Sequence, residues 1–480
     1  MTAPAAVTAT STADGGAARR GPMLATLLIA WFMAQFDFFV VNVAAPSLSH
    51  NLNVTPAALE LVVGGYAFTY AAGMITGGRL GDRLGHRRMF VYGMAAFTLA
   101  SVLCGLAMNP GQLIAFRLLQ GLTGAAMVPQ VLALITATFP VAERPKALGW
   151  YALTGGLASI SGQVLGGLLV DVNLFGLEWR TIFLINLPIG LLTVPLALKL
   201  LPRHTPGARI GLDPVGAIGM ALTLGAVLVP LGLGNSQHWP LWTWLSLGAA
   251  VPLAVFTVWW QRRLHRGGGQ PVLELALFKV KTYAAGMAAG AAFMVYWAGF
   301  MFTLALLLQS GYEFTAFQAG LCFLPMGVLF STAALAGGRL VRRFGLRVPL
   351  TGSIIVLIGL LVAIAAMWTS TDAANLPLLI VGFSIMGTGN GLLLPQLVSA
   401  SLTEVRREQA GIGAGMVATS QQFAQAAGAA ILGAVFFAVV HNREGLAAYD
   451  TAMERVLYID LGLLAVVASL VIYLHRHAKL

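Results

Sequence analysis

The sequence predicts an all-α polytopic membrane protein of 14 transmembrane helices, built as two six-helix halves with two helices inserted between them. Three observations carry that prediction. Of the 480 residues, 58% are hydrophobic and only 9% are charged, against about 25% charged in an average soluble domain. Fourteen successive apolar runs are each long enough to cross about 30 Å of hydrocarbon. A glycine- and arginine-rich segment occurs twice, at matching places in the order of the runs. So little charge could not coat a globular surface, which excludes a soluble enzyme, a disordered chain and a disulfide scaffold. The 56 glycines follow no every-third-residue period, which excludes a collagen-like chain. Cys104 and Cys322 both fall inside apolar runs, where cysteine acts as a small packing residue.

The expected spans, in order, are 23–46, 56–78, 88–108, 111–137, 147–170, 180–200, 213–234, 242–262, 282–309, 316–338, 348–368, 377–401, 411–440 and 456–475. Only Asn109 and Pro110 part the third from the fourth, so that connection is a tight turn. Residues 1–22, rich in Ala, Thr and Gly, read as a disordered cytoplasmic tail. The apolar run after them is too long for a secretory signal and more spans follow.

Charge placement orients the spans. The net charge is +11, but the cations gather on no single face or stripe, so nucleic acid is not the partner. Of the 28 Lys and Arg, 24 lie in the two tails and in alternate loops, for example Arg79, Arg83, Arg87 and Arg88, or Arg339, Arg342, Arg343 and Arg347. Arg180, Arg443 and Arg455 fall on the other side, and Arg117 lies inside a span. That asymmetry follows the positive-inside rule. It places both termini in the cytoplasm, as an even number of spans requires, with the chain in the cytoplasmic (inner) membrane against its lipid.

The repeat sets the domains. Gly77-Gly78-Arg79-Leu80-Gly81-Asp82-Arg83-Leu84-Gly85-His86-Arg87 recurs as Gly337-Gly338-Arg339-Leu340-Val341-Arg342-Arg343-Phe344-Gly345-Leu346-Arg347, with an offset of 260 and seven of eleven positions identical. A looser echo, at offset 266, pairs Gly121…Pro129-Gln130 with Gly387…Pro395-Gln396. Both map span n onto span n+8. The expected domains are 23–200, an N-terminal six-helix bundle, 201–275, two inserted linker helices, and 276–480, a C-terminal six-helix bundle. Paired halves of this kind are the repeat organisation of secondary transporters.

These residues resemble the major facilitator superfamily, and within it the fourteen-helix drug:proton antiporter branch. Gly78 to Arg88 is similar to the signature loop between spans 2 and 3. Asp37-Phe38-Phe39-Val40-Val41-Asn42-Val43-Ala44-Ala45-Pro46 resembles the first-helix motif, and Arg117-Leu118-Leu119-Gln120-Gly121 the Arg-x-x-Gln-Gly motif of span 4. Trp179 to Gly190 is similar to the opening of the sixth helix. One motif departs: where the antiporters read Gly-Pro-x-x-Gly-Gly in span 5, this chain has Gly162-Gln163-Val164-Leu165-Gly166-Gly167. The resemblance implies a major facilitator fold and export of small amphiphilic drug, antibiotic or biocide-type compounds in exchange for protons. The missing proline leaves a proton-coupled importer as the alternative, and a non-transporting receptor is a more distant one.

Ionisable groups inside a span are functional-site candidates by default. Asp37 lies 14 residues into the first span, about 21 Å along it, and Arg117 lies in the first two turns of span 4. An acid that alternately gains and loses a cationic neighbour can load and unload a proton. The competing reading is a permanent structural pair. Glu60 and Asp460 fall near outer span ends, where a solvated carboxylate is expected. In the signature loop, Gly78 and Gly85 allow close approach and turning, while Asp82 sits among Arg79, Arg83, Arg87 and Arg88. The resemblance implies that this loop latches the two halves on the cytoplasmic side. The second copy has Arg342 in place of Asp82, so it carries no latch acid.

Asn42, Gln120, Gln163, Asn390, Gln421 and Gln425, together with Gln130, Gln396 and Gln422, are candidates for a cavity lining or for bonds between helices. The glycine clusters of spans 5 and 13 read as helix-packing surfaces. The aromatics Trp31, Phe36, Phe39, Tyr296, Trp297 and Phe300 read as lipid-facing or packing residues; any that face inward suit an apolar or aromatic substrate. No Gly-Lys-Ser/Thr phosphate loop is present, so ATP hydrolysis is not expected. The eight histidines fall outside the spans or, as His475 does, at the last residue of one, and no catalytic residue, metal site or cofactor is expected. The expected protein is a monomer that meets its small substrate, protons and lipid.

Overall fold

The computed structural model describes residues 13–52, 54–140, 143–202, 213–234, 237, 239–269, 271–345, 347–368, 375–405, 410–440 and 445–477. Fourteen long helices account for nearly all of them. In the first half these are α1 (Ala13–Leu52), α2 (Pro56–Leu84), α3 (His86–Gly105), α4 (Pro110–Thr138), α5 (Arg144–Val172) and α6 (Asn186–Leu200). The inserted pair is α7 (Pro214–Leu233) and α8 (Leu241–Arg266). The second half holds α9 (Lys281–Leu306), α10 (Ala316–Phe344), α11 (Arg347–Trp368), α12 (Leu376–Leu402), α13 (Ala410–Val440) and α14 (Leu446–His477). Each expected span is met by one of them. Among the described residues, 13 helices are long and apolar enough to cross a membrane; the remaining long helix, α2, is packed against α4, α7 and α13.

Local chemistry sets most boundaries. Thr55, Asn109, Asp213, Thr315 and Asn375 each accept a backbone N–H with their side chain at a helix start, as N-caps do. Pro56, Pro110 and Pro214 follow in the first turn, where a missing N–H costs nothing. Span 6 is interrupted: two short 3-10 turns and a helical turn at Thr181–Leu184 precede α6. Pro188 has no N–H to give Leu184, which explains the break at that point. Two helix starts differ most from expectation. α1 starts at Ala13, ten residues ahead of the expected first span. α14 starts at Leu446 rather than 456, because the charges of Asp450, Glu454 and Arg455 disguise its first three turns.

The two halves repeat the same packing. In the first, α1 lies on α5, α2 on α4, and α3 on α4 and α6; in the second, α9 lies on α13, α10 on α12, and α11 on α12 and α14. Helix n thus plays the part of helix n+8. The fit extends to single atoms. A Cβ on Gly121 would lie 2.2 Å from the Tyr66 carbonyl oxygen, and one on Gly387 would lie 2.2 Å from that of Met326. Both separations admit only glycine. The halves meet through α5 on α10 and α2 on α13, a pair of contacts that the same correspondence exchanges. The inserted helices pack on each other, and α7 covers α2 and α13.

Candidate functional site

Five helices of the first half converge on one buried charge cluster. α1 brings Asp37 and α4 brings Arg117, both with no exposure. Arg117 Nη1 donates to Asp37 Oδ2 at 2.5 Å and to Gln120 Oε1 at 2.9 Å, while Nε donates to the Val62 carbonyl of α2 at 3.1 Å. Its guanidinium lies 4.3 Å from the centre of the Tyr66 ring, a cation–π distance. α6 closes the other side. Asn186 Nδ2 donates to Asp37 Oδ1 and to Ser101 Oγ of α3, each at 2.8 Å, and Ser101 Oγ donates to the Phe183 carbonyl at 2.9 Å. Both carboxylate oxygens of Asp37 are therefore bonded.

A buried ion pair gains little net stability over an apolar one, but removing one partner strands the other charge. The cluster has spare capacity too: Arg117 Nη2, Gln120 Nε2 and Asn186 Oδ1 are buried without a partner among the described residues. Asn186 lies within the Trp179–Gly190 motif, yet only the fold reveals its bond to Asp37. Gln120, a cavity candidate by sequence, belongs instead to this cluster.

The signature loop turns sharply at Gly85, whose φ is 96°, in the region that favours glycine. Asp82 pairs with His86 Nε2 at 3.3 Å. Gln130 of α4 pairs with His86 Nδ1 at 2.8 Å and donates to the Gly77 carbonyl at 2.8 Å. Arg87 donates to the Leu198 carbonyl of α6, and Arg79 to the Pro271 carbonyl beyond α8; Arg83 is exposed. These bonds run within the first half and to the segment after the inserted helices.

At the same end of the bundle Asp213 is buried as the N-cap of α7. Burial alone would raise its pKa, but donors from Trp260, Gly216, Gln261 and Val272 hold it below the usual carboxylate range. At the other end of the bundle a hydrogen bond joins the halves. Phe317 N of α10 donates to Asp171 Oδ2 of α5 at 3.0 Å, and a Cβ on Gly167 would lie 2.2 Å from the Ala316 carbonyl.

The remaining polar candidates divide. Asn390 Nδ2 donates to Tyr296 Oη at 2.9 Å, and Gln425 Nε2 to Met294 Sδ at 3.3 Å; both pairs tie α9 to a neighbour. Among the described residues, neither amide atom of Gln163, which is 1% exposed, has a partner, and Asn42 Oδ1 and Gln421 Nε2 are likewise bare. Trp31, Phe36, Phe39, Tyr296, Trp297 and Phe300 are all buried, so of the two expected roles they take packing. Trp31 stacks on Tyr151 of α5 at 4.5 Å, and Trp297 stacks on Phe330 of α10 at 5.8 Å. Phe330 in turn lies against Gly156 of α5, so this aromatic band joins the two halves.

Two acids need separate mention. The Glu60 side chain lies outside the described side chains. Asp460, expected as a solvated carboxylate, is instead fully buried, with neither oxygen partnered among the described residues. The longer α14 explains the correction: Asp460 falls in mid-helix, not near an end.

Residues 27–429 match the family model of the Major Facilitator Superfamily. A probable actinorhodin transporter of Streptomyces coelicolor is 35% identical over 439 residues, covering 91% of this chain and 76% of that one. The multidrug resistance protein Stp of Mycobacterium tuberculosis is 32% identical over 418 residues, covering 85% and 74%. In fold, the chain is similar to a bacterial homologue of the human lysosomal transporter Spinster, solved inward-facing and unoccupied. That match has a TM-score of 0.67 and 16% identity, and covers 95% of this chain and 97% of the other.

Proposed function

The chain belongs to the major facilitator superfamily, and from that premise we propose that it exports small amphiphilic drug- or antibiotic-type compounds across the cytoplasmic membrane in exchange for protons. The observation that carries the reading is the Asp37–Arg117 pair. Two opposite charges on separate helices, fully buried in an apolar bundle, are costly to keep. A proton on Asp37 cancels the attraction to Arg117 and removes an acceptor from Asn186. The contact among α1, α4 and α6 then loosens. α1 packs on α5, and α5 on α10, so the change passes to the seam between the halves, where Asp171 meets α10.

Alternating access follows as the outer contact yields and the cytoplasmic loop engages. In that half of the cycle the latch residues Gly78, Asp82, Arg83, Gly85 and Arg87 leave the bonds described above for the second half. The aromatic band between Trp31 and Trp297, with the bare amides of Gln163 and Gln421, suits a flat apolar substrate with a few polar groups. Two relatives point the same way by name, an actinorhodin transporter and a multidrug resistance protein. One proton moving inward across 100 mV supplies about 2.3 kcal/mol. The protein works as a monomer with both termini in the cytoplasm.

Gln163, standing where antiporters carry proline, favours the second reading, a proton-coupled importer. Proteoliposomes with an imposed pH gradient separate the two by the sign of ethidium flux. Export against the proton gradient, lost in Asp37→Asn while the protein stays folded, is the expected result. Flux of ethidium along with protons supports import, and unimpaired flux in Asp37→Asn removes Asp37 from the mechanism.

A further inference from the structure

The second half has a charge site of its own, with none of the first half's bonds. Asp460 lies 14 residues from the start of α14, about 21 Å along it at 1.5 Å per residue, and so close to mid-helix. It is 0% exposed and neither oxygen has a hydrogen-bond partner among the described residues. The helix face it shares is apolar: Val456, Leu457 and Leu464 are buried beside it. α14 packs on α9, α11, α13 and the turn Leu307–Gly311. α13 and that turn bring no ionisable residue. α11 brings Arg347 at its far cytoplasmic start, and α9 brings Lys281 and Tyr283 at its own.

Within electrostatic reach stands Tyr296 of α9. Its hydroxyl accepts from Asn390 of α12, whose own Oδ1 is bare. Asn390 thus ties α12 to α9 through Tyr296, and Asp460 of α14 is bonded to neither. α9 and α14 are the counterparts of α1 and α6, the helices that bring Asp37 and Asn186 together in the first half.

An ionised carboxylate with no donor and no counterion in an apolar interior is far costlier than the neutral acid. Asp460 therefore carries a proton in this conformation, whereas Asp37 is arranged as an anion. We propose that Asp460 is a second proton-binding site of the transport cycle, taking a proton from outside and releasing it to the cytoplasm when the halves rearrange, with Tyr296 and Asn390 as positioning residues. The inference rests on the proton-coupled reading above, but its decisive test requires no transported compound.

The test is the infrared spectrum of the full-length protein in lipid at neutral pH. A protonated carboxyl band is expected in the wild type and in Asp37→Asn, and its loss in Asp460→Asn. Tyr296→Phe should keep the band but move it. In heavy water the band should shift to its deuterated position, since an acid that works in the cycle exchanges with solvent. No difference between the wild type and Asp460→Asn overturns the proposal. So does a band that never exchanges, which marks a sealed structural acid. If Asp460→Asn fails to fold, Asp460→Glu gives the same answer through a displaced band. Ethidium flux separates the two levels: absent pH-driven flux in the wild type counts against the proton-coupled reading, whereas a wild-type pH profile in folded Asp460→Asn counts against this site alone.

Discussion

The two six-helix halves share a backbone plan down to the glycine contacts at Gly121 and Gly387, yet they treat a buried acid in opposite ways. In the first half Asp37 has an arginine and an asparagine, one on each oxygen. In the second, neither oxygen of Asp460 has a hydrogen-bond partner among the described residues. A duplicated scaffold can keep its packing and diverge in its charges, because packing is set by where small residues fall and charge by single substitutions. The difference also divides the acids by charge: the bonded acid holds its negative charge and the bare one holds its proton until the surroundings of each change.

The largest effect should come from removing the cation. Arg117→Leu strands Asp37 in an apolar interior, and breaking a buried pair this way costs about 3–5 kcal/mol. Thermal unfolding in detergent should show it, and Asp37→Asn in the same chain should restore much of the loss. If Arg117→Leu alone is as stable as the wild type, the cluster is not the anchor of the first half.

Next comes the shared packing. Gly121→Val and Gly387→Val each push a side chain into a helix backbone, and overpacking costs about 1–3 kcal/mol. Similar losses are expected at both sites, and tolerance at only one would break the correspondence between the halves. A smaller effect is expected at the outer seam. Asp171→Ala removes one hydrogen bond between the halves, worth about 1 kcal/mol, which shifts the conformational balance roughly fivefold. Accessibility of a cysteine placed on the outer side of α5 would report that shift.

The smallest effect concerns the inserted helices. Because hydrogen bonds depress the pKa of Asp213, its contribution is full above the ordinary carboxylate value and is lost only as pH falls through the lowered one. Amide protection at the start of α7, taken relative to the intrinsic exchange rate at each pH, should stay constant from neutral pH down to that range and fall only below it. Loss of protection already in mildly acidic buffer would contradict the arrangement.

Much of this was legible in the sequence. The spans are long apolar runs, and repeated glycines mark the two halves, so the fourteen helices and the n to n+8 correspondence could be read directly. Asp37 and Arg117 announced themselves as charges inside spans. What could not be read is which partners the fold brings to them. Asn186 and Ser101 are ordinary polar residues until α3 and α6 meet α1. Gln120 and Gln130 looked like cavity residues because nothing local distinguishes a cavity from a helix seam. Asp460 was misplaced for a specific reason: Asp450, Glu454 and Arg455 make the first turns of α14 look like a loop, which moves the apparent helix end next to it. Composition cannot separate lipid-facing from packing roles for the aromatics Trp31 and Trp297, and only their stacking on Tyr151 of α5 and Phe330 of α10 shows that they pack.

The central claim is that substrate leaves as protons enter through the buried acids. It is tested most directly in proteoliposomes loaded with ethidium and a pH-sensitive dye, with equal pH on both sides and outward ethidium flow as the sole driving force. Wild-type protein should acidify the lumen as ethidium leaves, and Asp37→Asn should not. Ethidium leaving through the wild-type protein with no change in lumenal pH would contradict the account.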